Sequence, residues 1–171
     1  MRFLVKDLYL SGVHYESLAD GIGIRIVLFV SGCKHNCPGC HSPKTHSFTN
    51  GKECTDEVIN TIKEEIVKRK RMTYGITISG GDPFYSPMKV IQLIQQLEIE
   101  KEDIWMWTGF TFEELIKDPE RVALLQYANV LVDGPYIESE RDLTTRFRGS
   151  KNQRILNVSQ SLMTGTPVPW R

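Results

Sequence analysis

The sequence has no long apolar run, no excess of charge of either sign and no compositional bias toward linkers or repeats. Each absence excludes something. No stretch is apolar and long enough to cross a bilayer as a helix, so no membrane partner is expected. The first residues, Met1–Asp7, become charged too early to form the apolar region of a secretory leader, and a cytoplasmic protein is expected. Lys+Arg and Asp+Glu are equal at 21 each. A polyanion binder shows a basic excess, so nucleic acid is not expected as a partner. The densest basic run, Lys68-Arg69-Lys70-Arg71, reads as the end of a helix, where cations meet the negative end of its dipole. With no repeat or linker to divide them, residues 1–171 are read as a single domain.

Cysteines are few, four in 171 residues, but unevenly placed. In a cytoplasmic chain thiols stay reduced. Three of them fall between positions 33 and 40, a crowding that points to metal binding rather than disulfides. Cys54 stands apart, just before a helix, and reads as a free thiol outside any ligand set.

Around them the chain alternates strands and helices. Ile24 to Val30 is rich in Ile and Val, interrupted only by Arg25, as a strand buried on both faces is. Thr55 caps a helix whose Ile59, Ile62 and Ile66 share one face. Tyr74 to Ser79 is a strand ending in Gly80-Gly81-Asp82-Pro83, and Ser86-Pro87 opens another helix. Ile104 to Trp107 is a strand, Thr111 to Glu114 has the spacing of a capping box, and Asp118-Pro119 starts a further helix. Asn129 to Val132 and Arg154 to Val158 are the remaining strands, and Pro167 and Pro169 predict an extended tail over about 164–171.

This alternation predicts an α/β fold with a mainly parallel sheet. There are too few units for a closed eight-fold barrel, so an open or partial barrel is expected. Ligands in such sheets bind at the carboxyl ends of the strands. The cysteine loop, Gly80-Gly81 and Asp133-Gly134 each follow a strand, and all three are expected at one sheet edge, in one site.

The loop Cys33-Lys34-His35-Asn36-Cys37-Pro38-Gly39-Cys40 has the spacing C-x3-C-x2-C. Three thiolates so close can hold three corners of a cubane iron–sulfur cluster and leave the fourth iron open to substrate. Pro38 and Gly39 suit the sharply turned backbone of a chelating loop. The competing reading is a structural zinc site with His35 or His41 as fourth ligand. Against it, no second ligand pair occurs, and the domain is large enough to fold without a metal clip.

The C-x3-C-x2-C spacing is the signature of the radical S-adenosylmethionine enzymes. Its context resembles the activating component of the anaerobic, glycyl-radical class of ribonucleotide reductase. The resemblance runs over roughly residues 20–155. It includes Asp20-Gly21-Ile22-Gly23-Ile24-Arg25, Leu28 to Cys33, Ser79-Gly80-Gly81-Asp82-Pro83, Asp103 to Gly109 and Asn129 to Gly134. Arg146-Phe147-Arg148-Gly149-Ser150-Lys151-Asn152-Gln153-Arg154 resembles this activase rather than the formate-lyase activases.

The resemblance implies a partial (β/α) barrel with a [4Fe–4S] cluster on Cys33, Cys37 and Cys40 and S-adenosylmethionine as cosubstrate. It implies cleavage of that cosubstrate to a 5′-deoxyadenosyl radical, and a glycyl radical made on an anaerobic ribonucleoside-triphosphate reductase. An external electron donor, such as a flavodoxin-like protein, would reduce the cluster. The cosubstrate contacts implied are Gly39, Cys40, His41, Gly80, Gly81 and Asp82. Alone, Gly80-Gly81 reads as a tight turn; within the whole pattern it resembles the two-glycine motif beside the methionine amino group. Asp82 has two readings, orienting that ammonium or capping the next helix. His41 stands where relatives carry an aromatic residue near adenine, and Ser42 departs from their asparagine. Arg25 reads as a carboxylate contact or a structural pair, and Trp105 and Trp107 as packing or partner contacts. The basic segment 141–154 reads as a solvated loop or a contact to cosubstrate or reductase. Two alternatives remain: activation of a different glycyl-radical enzyme, and a non-catalytic zinc-binding module.

Overall fold

A computed structural model describes residues 5–171; of the amino-terminal stretch read as too charged for a leader, Met1–Leu4 lie outside the described residues. One seven-stranded sheet runs through the molecule in the order β3-β1-β2-β4-β5-β6-β7. The strands are β1 (Tyr9–Ser17), β2 (Arg25–Val30), β3 (Lys52–Glu53), β4 (Gly75–Gly80), β5 (Ile104–Trp107), β6 (Val130–Asp133) and β7 (Arg154–Asn157). The helices are α1 (Asp56–Arg69), α2 (Pro87–Leu97), α3 (Phe112–Leu115), α4 (Pro119–Leu125) and α5 (Val158–Thr164).

The parallel heart is β2-β4-β5-β6, in continuous register from Arg25↔Gly75 to Trp107↔Val132. β1 and β7 join antiparallel on its two sides, and β3 pairs antiparallel with β1. The architecture is thus mixed α/β with a mainly parallel sheet. The sheet is not closed: the order ends at β3 on one side and β7 on the other, and the two do not pair among the described residues.

Alternation along the strands sorts side chains onto two faces. Ile26, Leu28 and Val30, Ile76 and Ile78, Ile104 and Met106, and Leu131 join the main core with Ile59, Ile62 and Ile66 of α1 and the apolar side of α2. The opposite face holds a smaller cluster of Trp105, Val130 and Val132, closed by Ile22, Phe147, Ile155 and Trp170. Arg25 is fully buried on this second face. Its Nε donates to Thr77 Oγ1 at 2.8 Å, Nη1 to Asp103 Oδ1 at 2.8 Å and Nη2 to Ile76 O at 2.7 Å. It is a structural pair at the amino ends of the strands, so the carboxyl ends are left to the chemistry.

The caps at Thr55 and Thr111 form as the sequence predicts. Thr55 Oγ1 accepts from Val58 N, and Thr111 and Glu114 form a reciprocal capping box. Ser86 precedes α2 without a side-chain cap, and Asp82 instead accepts from Phe84 N to open a short 3-10 turn. The last predicted strand stops at Asn157, which caps α5 through Gln160 N. The tail runs back along β7, with Trp170 N donating to Ile155 O at 2.9 Å.

Candidate functional site

The four parallel strands end around one cleft of about 310 Å³, a volume within the range of small-molecule sites. After β2 come Cys33, Cys37, Cys40, His41 and Ser42; from β4, Ser79, Gly80 and Gly81. The end of β5 gives Trp107, Thr108 and Gly109, and the segment after β6 gives Gly134 and Tyr136. The cysteine loop, the double glycine and Asp133-Gly134 thus meet at one sheet edge, although Asp133 itself faces away from the cleft wall.

The loop is held at its entry. Gly32 N donates to Thr45 O at 2.7 Å and Cys33 N to His46 O at 3.2 Å, both within a short 3-10 turn over Pro43–His46. Asn36 and Gly39 take left-handed backbone, which turns the chain sharply between the cysteines. Gly81 lies against this loop: a Cβ there would fall 2.7 Å from Gly32 O and 2.8 Å from Thr45 O. At Gly80, with φ of 109°, a Cβ would fall 2.4 Å from Val30 O. Both glycines have a packing cause, and both also line the cleft.

Cys33, Cys37 and Cys40 are free, half-buried thiols on one wall. Burial pushes the Cys33 thiol up to about 11, partly opposed by a backbone hydrogen bond from His35. A bound metal offsets that cost, because a coordinating thiol is deprotonated. Among the described residues no three His, Cys, Asp or Glu side chains converge as ligands of a single metal ion. A cubane cluster does not require that convergence, since each thiolate takes a separate iron. Three reduced thiols lining one cleft fit the donor set of such a cluster. Cys54 is buried in the main core, pushed up to about 12 by burial.

His41 is exposed at the cleft edge, its ring 5.0 Å from that of Tyr136. Gly39 is not on the cleft wall; its position faces the Glu138 carboxylate. Asp82 is not on the wall either. Its side chain is shut off from solvent and accepts from Thr108 Oγ1 at 2.8 Å, Gly109 N at 2.9 Å and Phe84 N at 2.9 Å, with His35 Nε2 at 2.8 Å.

Trp107, Thr108, Tyr136 and Gln153 line the cleft without having been singled out as site residues in the sequence. Trp107 was legible only as packing or partner contact; its Nε1 donates to Phe147 O at 3.0 Å. Tyr136 lies two residues beyond Gly134, which is the signal that could have found it. In the basic segment, Gln153 donates to Gly134 O at 3.0 Å and accepts from Gly149 N at 2.8 Å, folding that segment over the cleft.

Comparison with known proteins adds the family. Residues 19–156 match a family model described as a 4Fe-4S single cluster domain. The anaerobic ribonucleoside-triphosphate reductase-activating protein of Vibrio cholerae is 41% identical over 146 residues, covering 81% of this chain and 90% of the relative. Its namesake from Escherichia coli K12 is 36% identical over 146 residues, covering 81% and 91%. Among solved structures, QueE from Escherichia coli aligns with a TM-score of 0.39 and 17% identity over 64% of this chain and 53% of that one, too slight a likeness to carry an argument. The matched relatives agree in name and the matches span most of both chains, so the chain belongs to the family of anaerobic ribonucleoside-triphosphate reductase-activating proteins.

Proposed function

We propose that this chain reductively cleaves S-adenosylmethionine and uses the resulting radical to activate an anaerobic ribonucleoside-triphosphate reductase in the cytoplasm. The observation that carries the reading is the meeting of three free thiols and the Gly80-Gly81 turn on the walls of one cleft. Cys33, Cys37 and Cys40 would hold a [4Fe–4S] cluster, and three thiolates for four irons leave one iron for the cosubstrate. Bound there and reduced by an external donor of the flavodoxin type, such a cluster would supply the single electron for cleaving the S–C5′ bond to methionine and a 5′-deoxyadenosyl radical. That radical would take a hydrogen atom from a glycine of the reductase, leaving 5′-deoxyadenosine and a glycyl radical.

The protein's own part is to bind, aim and shield. Gly80 and Gly81 bring bare backbone to the cleft, where carbonyls can accept from the methionine ammonium. The neighbouring rings of His41 and Tyr136 offer an aromatic edge for adenine. Trp107, fixed by its hydrogen bond to Phe147 O, forms an apolar wall that keeps water from the radical.

The partner reading is tested by electron paramagnetic resonance on the reconstituted protein mixed anaerobically with the reductase, dithionite and S-adenosylmethionine. A glycyl radical that requires all four components is expected. No radical on the reductase, with 5′-deoxyadenosine still formed, would move the target to another glycyl-radical enzyme.

A further inference from the structure

Between the first two cysteines the loop sends one side chain inward. Lys34 and Asn36 are exposed, but the His35 side chain is only 16% exposed. Its ring lies edge-on to Phe110 at 4.4 Å and to Tyr85 at 5.0 Å, and Nε2 is 2.8 Å from Asp82 Oδ2. A carboxylate only accepts, so Nε2 carries the proton and donates. Asp82 is itself fixed by Phe84 N, Thr108 Oγ1 and Gly109 N, which belong to the ends of β4 and β5. Gly109 makes room for the ring, since a Cβ there would lie 2.5 Å from His35 Cδ2. Backbone bonds secure the two ends of the loop, Cys33 N to His46 O at 3.2 Å and Cys40 N to Cys37 O at 3.1 Å, and the His35 anchor lies between them.

We infer that His35 is a positioning residue: anchored on Asp82, it fixes the span between Cys33 and Cys37 and holds the two thiols set for the cluster. The inference rests on the reading of Cys33, Cys37 and Cys40 as cluster ligands. A chelating loop that is already ordered loses less freedom when it takes up its metal, and so holds it longer. Asp82 is committed by the same geometry. Both carboxylate oxygens are engaged inside the protein, which gives this residue a part in supporting the loop.

The test is the rate at which the anaerobically reconstituted full chain gives up iron to an iron(II) chelator, with the melting temperature measured on the same samples. His35→Phe fills the aromatic slot but cannot donate; iron loss about 10- to 100-fold faster is expected, the range seen when partners of metal ligands are removed. His35→Gln keeps a donor and is expected to restore most of the retention. Gly109→Ala displaces the ring while leaving His35 and Asp82 in the sequence, and is expected to lose iron as fast as His35→Phe. Should His35→Phe melt early, Gly109→Ala decides. Wild-type iron retention in both variants, with melting unchanged, would overturn the role of His35. A Cys37→Ser variant that keeps its full iron would overturn the cluster reading itself, which is a separate failure.

Discussion

Arg154 on β7 donates from Nε and Nη2 to the two oxygens of Asp133 at the carboxyl end of β6, at 2.9 and 2.5 Å. Asp133 is fully buried and also accepts from Phe112 N at 2.7 Å. Asp133 and Glu113 together hold the Arg154 guanidinium well above its ordinary range. Arg154→Met leaves a buried carboxylate with one amide partner, a loss of about 3 kcal/mol. For a chain of this size that corresponds to a melting temperature lower by roughly 6–12 °C, readable by calorimetry. An unchanged melting temperature would show that Asp133 finds another partner.

The cysteines divide three to one. Cys33→Ser, Cys37→Ser and Cys40→Ser are each expected to abolish cleavage of S-adenosylmethionine, because two thiolates cannot replace three at a cubane. Cys54→Ser is expected to leave iron content and cleavage unchanged, since this thiol sits in the apolar core, away from the cleft. Iron assay and chromatography of 5′-deoxyadenosine on the four variants check both halves. Full activity in any of the three loop variants contradicts the ligand set.

Gly81→Ala presses a methyl group onto the carbonyls of Gly32 and Thr45. The cysteine loop must shift to admit it, and misplacement by about 1 Å costs on the order of 100-fold in rate. A drop of that order in 5′-deoxyadenosine formation is expected with iron still bound. A wild-type rate would show that the loop yields at no cost to its chemistry.

Leu143 is 84% exposed and Leu18 is 74% exposed. Both border a groove beside Arg146, Phe147 and Arg148 that shares Asp20, His41, Trp107 and Gly149 with the cleft. A reductase segment bringing a glycine to the cleft would cross this groove. Leu143→Asp is expected to leave reductase-free cleavage of S-adenosylmethionine unchanged and to lower glycyl-radical yield about tenfold, the effect of losing one buried contact of about 1.4 kcal/mol. Equal yields would place the reductase elsewhere on the surface.

How much of this was legible in the sequence depended on whether the signal was local. The Ile and Val runs of β2, β4 and β6 and the Thr111–Glu114 capping box are local, and all appear in the structure. β1 carries no such local signal, because Tyr9–Ser17 mixes Ser11, Gly12 and His14 into a half-buried strand with no clean alternation. The two residues of β3 carry no period at all. Arg154–Asn157 reads as a strand, yet its antiparallel direction is set by the chain's path over the cleft and not by its residues.

The site divides in the same way. Cys33, Cys37, Cys40, Gly80 and Gly81 declare themselves by spacing. Trp107, Tyr136 and Gln153 reach the cleft only because particular faces and turns of distant strands point there. For Asp82 the local half of its role, the cap on Phe84, was visible, whereas its bond to His35 spans 47 positions in the chain.

In the function proposed, this cleft cleaves S-adenosylmethionine at an iron–sulfur cluster. The decisive assay is made on anaerobically purified, iron-reconstituted protein given dithionite and S-adenosylmethionine, with 5′-deoxyadenosine, iron and zinc measured on one sample. 5′-Deoxyadenosine formed only with reductant is expected, with about four irons per chain. Stoichiometric zinc with no 5′-deoxyadenosine would contradict it and make the cysteine loop a structural clip.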